Sequence, residues 1–117
     1  DLVSKYIIFH QGYSIIELKK LGLKRINFAF LDGAHTYKDV FFEFNIIKDQ
    51  QKKGDVIVFD DYGWIPEVRA AVDSKINDGT LEIVKHIGFE PMTEVGFNIV
   101  TGPRLAVDWE GLICKVK

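Results

Sequence analysis

The chain has 117 residues, of which 47% are hydrophobic and 27% charged, a composition typical of a folded globular domain rather than a disordered or fibrous chain. At this length we expect a single domain, spanning residues 1–117. The formal net charge of −2 argues against sequence-independent binding of nucleic acid. No apolar run approaches the roughly 20 residues that span a bilayer. Cys114 is the single cysteine, which excludes an internal disulfide and fits a reducing, cytoplasmic location.

Short apolar runs alternate with amphipathic stretches in the first two thirds of the chain, a pattern typical of α/β units with parallel strands. Strands are predicted over 6–9, 26–31 and 56–59. The run 26–31 is nearly all apolar, so we expect it to be buried on both faces as a central strand.

Helices are predicted to follow each of these strands. Ser14 with Glu17, and Thr36 with Asp39, have the spacing of capping boxes, and Pro66 suits the first turn of a helix. Glycines 22, 54 and 79 are expected to end the three helices.

The last third of the chain has a different pattern, because its apolar runs follow one another without intervening helices. Strands are predicted over 81–89, 95–100 and 112–116, as an antiparallel edge. The sequence therefore predicts a Rossmann-like α/β fold, with a partly parallel sheet, helices on both faces and an antiparallel C-terminal edge.

Acidic residues follow two of the predicted parallel strands. Asp32 follows 26–31, and Asp60 with Asp61 follows 56–59. Strands joined by one crossover helix place their carboxyl ends side by side, where open α/β sheets bind ligands. Carboxylates this close repel unless a cation lies between them or a pKa rises, and oxygen donors without a thiolate favour Mg²⁺, Ca²⁺ or Mn²⁺ over zinc. His35 is placed to act as a base or an extra ligand.

Capping is the competing interpretation of these residues, because aspartates often follow strands simply to cap turns and helices. For a single aspartate we favour capping. Three carboxylates and a histidine at neighbouring strand ends favour a functional site instead.

A family resemblance rests on the same strand ends. Residues 30–37 (FLDGAHTY) and 54–62 (GDVIVFDDY) resemble the class I S-adenosylmethionine-dependent methyltransferases, specifically the group with an IDGDHSY-like fourth strand and a VIVFDDY-like fifth. Residues 68–73 extend the resemblance into the next helix, and 10–14 (HQGYS) is similar to the end of the third strand. The resemblance covers about residues 6 to 75.

The resemblance implies metal-assisted O-methylation of a small-molecule hydroxyl. Carried over from the family, Asp32, Asp60 and Asp61 are the ligands of Mg²⁺ or a similar divalent cation. His35 occupies the position of the catalytic base.

For the cofactor, S-adenosylmethionine, the resemblance implies contacts from Gly12, Tyr13, Ser14 and Asp32, although Tyr13 replaces the aspartate usual in the family. The family's glycine-rich turn and its ribose-binding acid come before the third strand and have no counterpart in these 117 residues. We therefore expect a truncated methyltransferase fold that lacks the first two strands. By itself the chain should bind the cofactor no tighter than roughly millimolar.

In the family's sheet, the first two strands lie between the third and the fourth. We therefore expect residues 6–9 to pair directly with 26–31 across a short crossover. Otherwise a homodimer or a missing N-terminal segment should complete the sheet.

Two other functions remain open. One is a non-catalytic remnant or interaction module that keeps the scaffold. The other is a phosphoreceiver domain, which also gathers aspartates at strand ends. In that class the acidic pair follows the first strand and the single aspartate follows a later one, the reverse of the order in this sequence. No nucleic-acid or membrane partner is expected under any of the three.

Overall fold

A computed structural model describes residues 1–33, 35–88 and 110–117, together with the backbone of two short strands between them. The helices in this described part are α1 (Leu2–Tyr6), α2 (Ser14–Leu21), α3 (Tyr37–Lys48) and α4 (Pro66–Asn77). The strands are β1 (Phe28–Leu31), β2 (Val56–Phe59), β3 (Leu81–Ile87), β4 (Phe97–Asn98), β5 (Gly102–Pro103) and β6 (Gly111–Val116). None of these helices is long and apolar enough to cross a bilayer.

The main sheet has the strand order β1-β2-β6-β3. β1 and β2 are parallel, with Phe28 opposite Val56 and Leu31 opposite Phe59. β6 is antiparallel to both β2 and β3. The predicted partly parallel sheet with an antiparallel C-terminal edge is thus confirmed, while most of the predicted strand 95–100 lies outside the described residues.

Several local predictions about the helices are confirmed. Gly22 ends α2 in the left-handed conformation, at φ 55°, which glycine adopts without the steric cost of a Cβ. The Thr36 hydroxyl accepts from the backbone N–H of Asp39 at 3.2 Å and caps α3. Pro66 opens α4. α3 ends at Lys48, earlier than the predicted end at Gly54.

The capping box predicted at Ser14 is wrong. Tyr13 is the N-cap of α2 and makes no side-chain capping hydrogen bond. The Ser14 hydroxyl instead donates to the carboxylate of Glu43 on α3. A tertiary partner has replaced the local one, and it ties α2 to α3.

The predicted strand 6–9 is also wrong. Tyr6 ends α1, which the Asp1 carboxylate caps by accepting from the N–H of Val3 at 2.9 Å. The predicted pairing of 6–9 with 26–31 is therefore absent, and among the described strands β1 pairs with β2 alone. Ile8 and Phe9 are more than 80% exposed, because no described strand lies beside them to form a ladder.

The core lies on one face of the sheet. Alternation along paired strands puts Ile57, Phe59, Leu112 and Cys114 on this face, where they pack with α3 and α4. The helices contribute the buried residues Val40, Phe44, Ile47, Val68, Ala71 and Val72.

Burial of β1 on both faces is not observed. Ala29 and Leu31 pack against the core cluster, whereas Phe28 and Phe30 are 61% and 56% exposed. An apolar run indicates what a strand can bury, but a neighbouring element must cover each face. In the described residues only the face toward α3 is covered.

Candidate metal and catalytic site

The candidate site lies where β1 and β2 end side by side. The backbone N–H of Asp60 donates to the carbonyl of Leu31 at 3.0 Å, which continues the parallel ladder to the last residue of β1. Asp32 and Asp60 therefore leave the sheet next to each other, as the crossover topology requires.

The structure brings Asp32, His35 and Asp61 together. Each can offer one ligand atom, and these atoms all lie within 4.8 Å of one another. His35 Nε2 is 2.8 Å from Asp61 Oδ2, and Asp32 and Asp60 interact through their side chains. The predicted closeness of the Asp32 carboxylate to that of Asp60 or Asp61 is confirmed through Asp61, whereas the catalytic and metal-binding roles of these residues stay predictions.

The electrostatics of the group fits a cation. Desolvation and the neighbouring carboxylates of Asp60 and Asp61 raise the pKa of Asp32, while His35 acts in the opposite direction. A divalent cation among these carboxylates would offset their repulsion. Three carboxylates and one imidazole are a donor set suited to Mg²⁺ or Mn²⁺. The residues present therefore fit the metal that the family resemblance implies.

Asp61 has an unusual backbone. Its φ of 57° is positive, and among the described residues no other non-glycine residue has a positive φ. The backbone N–H groups of Trp64 and Ile65 donate to the Asp61 carbonyl at 3.1 and 2.9 Å, so this turn leads directly into α4. A left-handed conformation costs a non-glycine residue about 1–2 kcal/mol, and such strain is concentrated at functional sites.

The predicted cofactor residues line a second part of the site. A cavity of about 390 Å³ is bounded by Gly12, Tyr13, Ser14, Gly33, His35 and Asp39. Three of the four predicted cofactor residues are among them, and Asp32 is not. His35 belongs both to this cavity and to the carboxylate group, so the two parts of the site are contiguous.

A further cavity, of about 360 Å³, borders the aspartate pair. It is lined by Asp60, Asp61, Trp64 and Glu110. Glu110 was not predicted, and no motif marks it, since it directly precedes the distant strand β6.

Two acidic residues of α3 were also missed as site residues. The Tyr13 hydroxyl donates to Asp39 Oδ1 at 2.8 Å, and Ser14 donates to Glu43. Glu43 is only 4% exposed and interrupts the buried stripe formed by Val40, Phe44 and Ile47. A carboxylate in the middle of an apolar helix stripe was the available signal, because such groups are seldom buried without a partner.

Comparison with known proteins places these residues in a family. Residues 1–62 match the family described as "Methyltransferase domain", a match that covers more than half of the chain. The chain belongs to this methyltransferase-domain family. The matched segment contains all the predicted site residues, and membership of the family decides against the phosphoreceiver alternative.

The proteins similar to the chain include a curated protein and a solved structure. It is 41% identical over 56 residues to "Uncharacterized protein R132" of Acanthamoeba polyphaga mimivirus, covering 45% of this chain and 25% of that protein. The fold of this chain is similar to that in the structure of the O-methyltransferase NovP, with a TM-score of 0.58 and 14% identity over 89% of this chain. That match spans 35% of the NovP chain. The fold is therefore similar to that of this O-methyltransferase, and the chain spans a quarter to about a third of the length of the two proteins.

Proposed function

We propose that the chain carries the metal-facing and base-bearing part of an S-adenosylmethionine-dependent methyltransferase that acts on a small-molecule hydroxyl. The observation that supports this function is the convergence of Asp32, His35, Asp60 and Asp61 at the carboxyl ends of two adjacent parallel strands. Family membership supports the methyltransferase assignment, and the donor set supports metal assistance.

Each group has a chemical role in this proposal. Asp32, Asp60 and Asp61 would hold Mg²⁺ or a similar cation, which when bound lowers the pKa of the acceptor hydroxyl. The imidazole of His35 takes the hydroxyl proton. S-Adenosylmethionine, held by Gly12, Tyr13 and Ser14, would supply the methyl group that the deprotonated acceptor oxygen takes up, and would leave as S-adenosylhomocysteine, so that the acceptor becomes a methyl ether.

Asp61 positions the base. Its carboxylate contacts His35 Nε2, which fixes the ring of an otherwise half-exposed histidine at the border between the carboxylate group and the cavity. Gly12, Tyr13 and Ser14 also bound that cavity, so they are the residues that would hold the cofactor beside His35.

Metal binding tests the proposal on this chain. We expect Mn²⁺, followed by water-proton relaxation, to bind with saturation and to bind at least tenfold more weakly to Asp32→Asn and Asp61→Asn. Asp49→Asn, which changes an exposed carboxylate at the end of α3, is the matched control and should bind as the unsubstituted chain does. Equal binding by all variants would assign the aspartates to capping, and the non-catalytic alternative predicts no saturable binding.

Methyl transfer tests the catalytic half of the proposal. In a form of the protein that carries the upstream cofactor-binding half, supplied with S-adenosylmethionine and a panel of hydroxyl compounds, Mg²⁺-dependent turnover should disappear in Asp60→Ala while the circular dichroism spectrum is unchanged. His35→Gln should lower the rate by roughly 10²–10⁴, the contribution typical of a general base. Unchanged turnover in either variant contradicts the role given to that residue.

A further inference from the structure

The cavity of about 390 Å³ has two walls that come from different parts of the chain. Gly12, Tyr13 and Ser14 precede or open α2, whereas Gly33, His35 and Asp39 belong to the turn and first helical residues after β1. The hydrogen bond from the Tyr13 hydroxyl to Asp39 Oδ1 joins the walls directly. One hydrogen bond thus ties the two walls of the cavity together.

Asp39 supplies this cavity with a hydrogen-bond acceptor. Donors from Thr36 and Tyr13 reach its two oxygens, at 2.8 Å each, and hold the pKa of the carboxyl below its ordinary value. Asp39 is therefore a carboxylate at neutral pH and donates no hydrogen bond. A carboxylate has about four acceptor sites, so both oxygens retain capacity for a ligand donor.

Tyr13 supplies a flat apolar surface beside that acceptor. The residue is 55% exposed, and its hydroxyl is held by Asp39, so the ring is fixed with its polar edge at the carboxylate. Gly33 has no side chain to obstruct a planar ligand, whereas the Glu17 side chain fills the space where a Cβ of Gly12 would stand. The combination suits a planar ring that stacks on an aromatic face and donates an N–H at its edge.

We propose that Asp39 is a specificity-determining residue, which accepts a hydrogen bond from the exocyclic amino group of a purine ring stacked beside Tyr13. This inference rests on the proposed function, in which the purine is the adenine of the cofactor. It gives α3 a role in recognition as well as in packing: the loop 12–14 lacks a carboxylate of its own, and Asp39 provides one from the neighbouring helix.

Adenosine and inosine, which differ in an amino group against a carbonyl at the same ring position, are the probes. Titrated into the chain and followed by two-dimensional NMR, adenosine should shift cavity resonances and bind about tenfold more tightly than inosine, since the inosine carbonyl would face a carboxylate. In Asp39→Asn the preference should vanish or invert, because the amide can donate to that carbonyl.

Tyr13→Phe separates direct recognition from positioning. It removes the contact with Asp39 but keeps the ring and the carboxylate, so the preference for adenosine should persist. Equal loss of preference in Tyr13→Phe and Asp39→Asn would show that Asp39 acts only through Tyr13, and would overturn the inference.

Two other results would also overturn it: equal affinity of the unsubstituted chain for both nucleosides, or no saturable shift of the cavity resonances. The Mn²⁺ titration separates this inference from the proposed function, because it depends on Asp32 and Asp61. Mn²⁺ binding without a nucleoside preference would remove the role of Asp39 and leave the metal site standing.

Discussion

At the scale of single residues, Asp61 combines a side chain of the candidate site with an unfavourable backbone conformation. We predict that Asp61→Gly is about 1 kcal/mol more stable than Asp61→Ala in urea unfolding, because glycine adopts φ 57° freely and alanine does not. Both variants lose the carboxylate, so both should lose Mn²⁺ binding. An Ala variant as stable as the Gly variant would mean that the backbone at this position is not strained.

Tyr62 makes the stability sensitive to alkali. Burial, and then the hydrogen bond from its hydroxyl to Asp73 Oδ1 at 2.7 Å, raise its pKa from 10.0 to about 12. A raised pKa stabilises the fold fully below the unfolded value of 10.0, and this contribution is lost as the pH rises toward 12. Burial raises the pKa of the Cys114 thiol from 9.0 to about 12, with the same sign.

The variant Tyr62→Phe isolates the tyrosine contribution. We expect the loss of unfolding free energy between pH 9 and pH 11 to be about 1 kcal/mol smaller in this variant than in the unsubstituted chain. Urea titrations at the two pH values measure the difference. Identical losses in the two proteins would show that Tyr62 ionises as readily in the folded state as in the unfolded one.

At the scale of elements, Gly111 controls how closely β6 approaches β2. A Cβ at this position would lie 2.9 Å from the backbone oxygen of Phe59, closer than real contacts allow. We predict that Gly111→Ala lowers the unfolding free energy by about 1–3 kcal/mol, because the end of β2 must move. Mn²⁺ affinity should fall as well, since Asp60 and Asp61 follow Phe59 directly.

Gly33→Ala is the matched control for this substitution. A Cβ there would meet only Glu43 Oε1 at 3.9 Å, an ordinary contact, and the backbone φ of Gly33 is not positive. The same Gly-to-Ala change should leave stability unchanged or raise it by up to about 1 kcal/mol. If both variants lose the same stability, close strand approach is not the cause at Gly111.

The elements also show how far the sequence alone can predict this molecule. The strand-end positions of Asp32, Asp60 and Asp61 were predictable, because alternating apolar and amphipathic runs imply parallel strands joined by crossovers. The helix stop at Gly22 and the cap at Thr36 were predictable because they depend on neighbours in sequence.

Features that depend on distant neighbours were not predictable. Ser14 bonds to Glu43 across a helix pair rather than within its own turn. The apolar residues 6–9 and 28–31 looked alike in sequence, but only the second segment has a strand beside it to complete a ladder. Glu110 directly precedes β6, a strand that is far from β2 in sequence and lies beside it only in the folded sheet.

At the scale of the whole molecule, we expect the unpaired outer edge of β1 to promote association between copies of the chain. Phe28 and Phe30 are exposed on a strand whose other edge has no partner among the described residues, and such edges pair with further chains. In the unsubstituted chain the sedimentation coefficient should rise with protein concentration, and we predict that this rise is smaller in Phe30→Lys. Phe42→Lys, at a residue 46% exposed on a helix, is the control and should have a smaller effect. Equal effects would point to general hydrophobicity rather than to the strand edge.

The binding of the cofactor is a second property of the whole chain. No glycine-rich G-x-G-x-G turn occurs in the 117 residues, and the described cavity offers one acidic side chain, Asp39. Calorimetry with S-adenosylmethionine should therefore show no binding tighter than roughly millimolar, about 4 kcal/mol. Micromolar affinity would show that this chain, or a pair of its copies, completes the cofactor site by other means.

The order of the strands in the sheet differs from the order in which they are synthesised, because β6 lies between β2 and β3 but comes after both in sequence. Among the described strands β3 pairs with β6 alone, and β6 is made after it, so β3 emerges from the ribosome before the strand that joins it to the sheet exists. Until residues 111–116 arrive, β3 has no place in that sheet, and Ile83 and Val84 are open to contact with other chains. The newly made protein therefore depends on β6 to close the sheet, and the interval before that closure is when a chaperone would matter most.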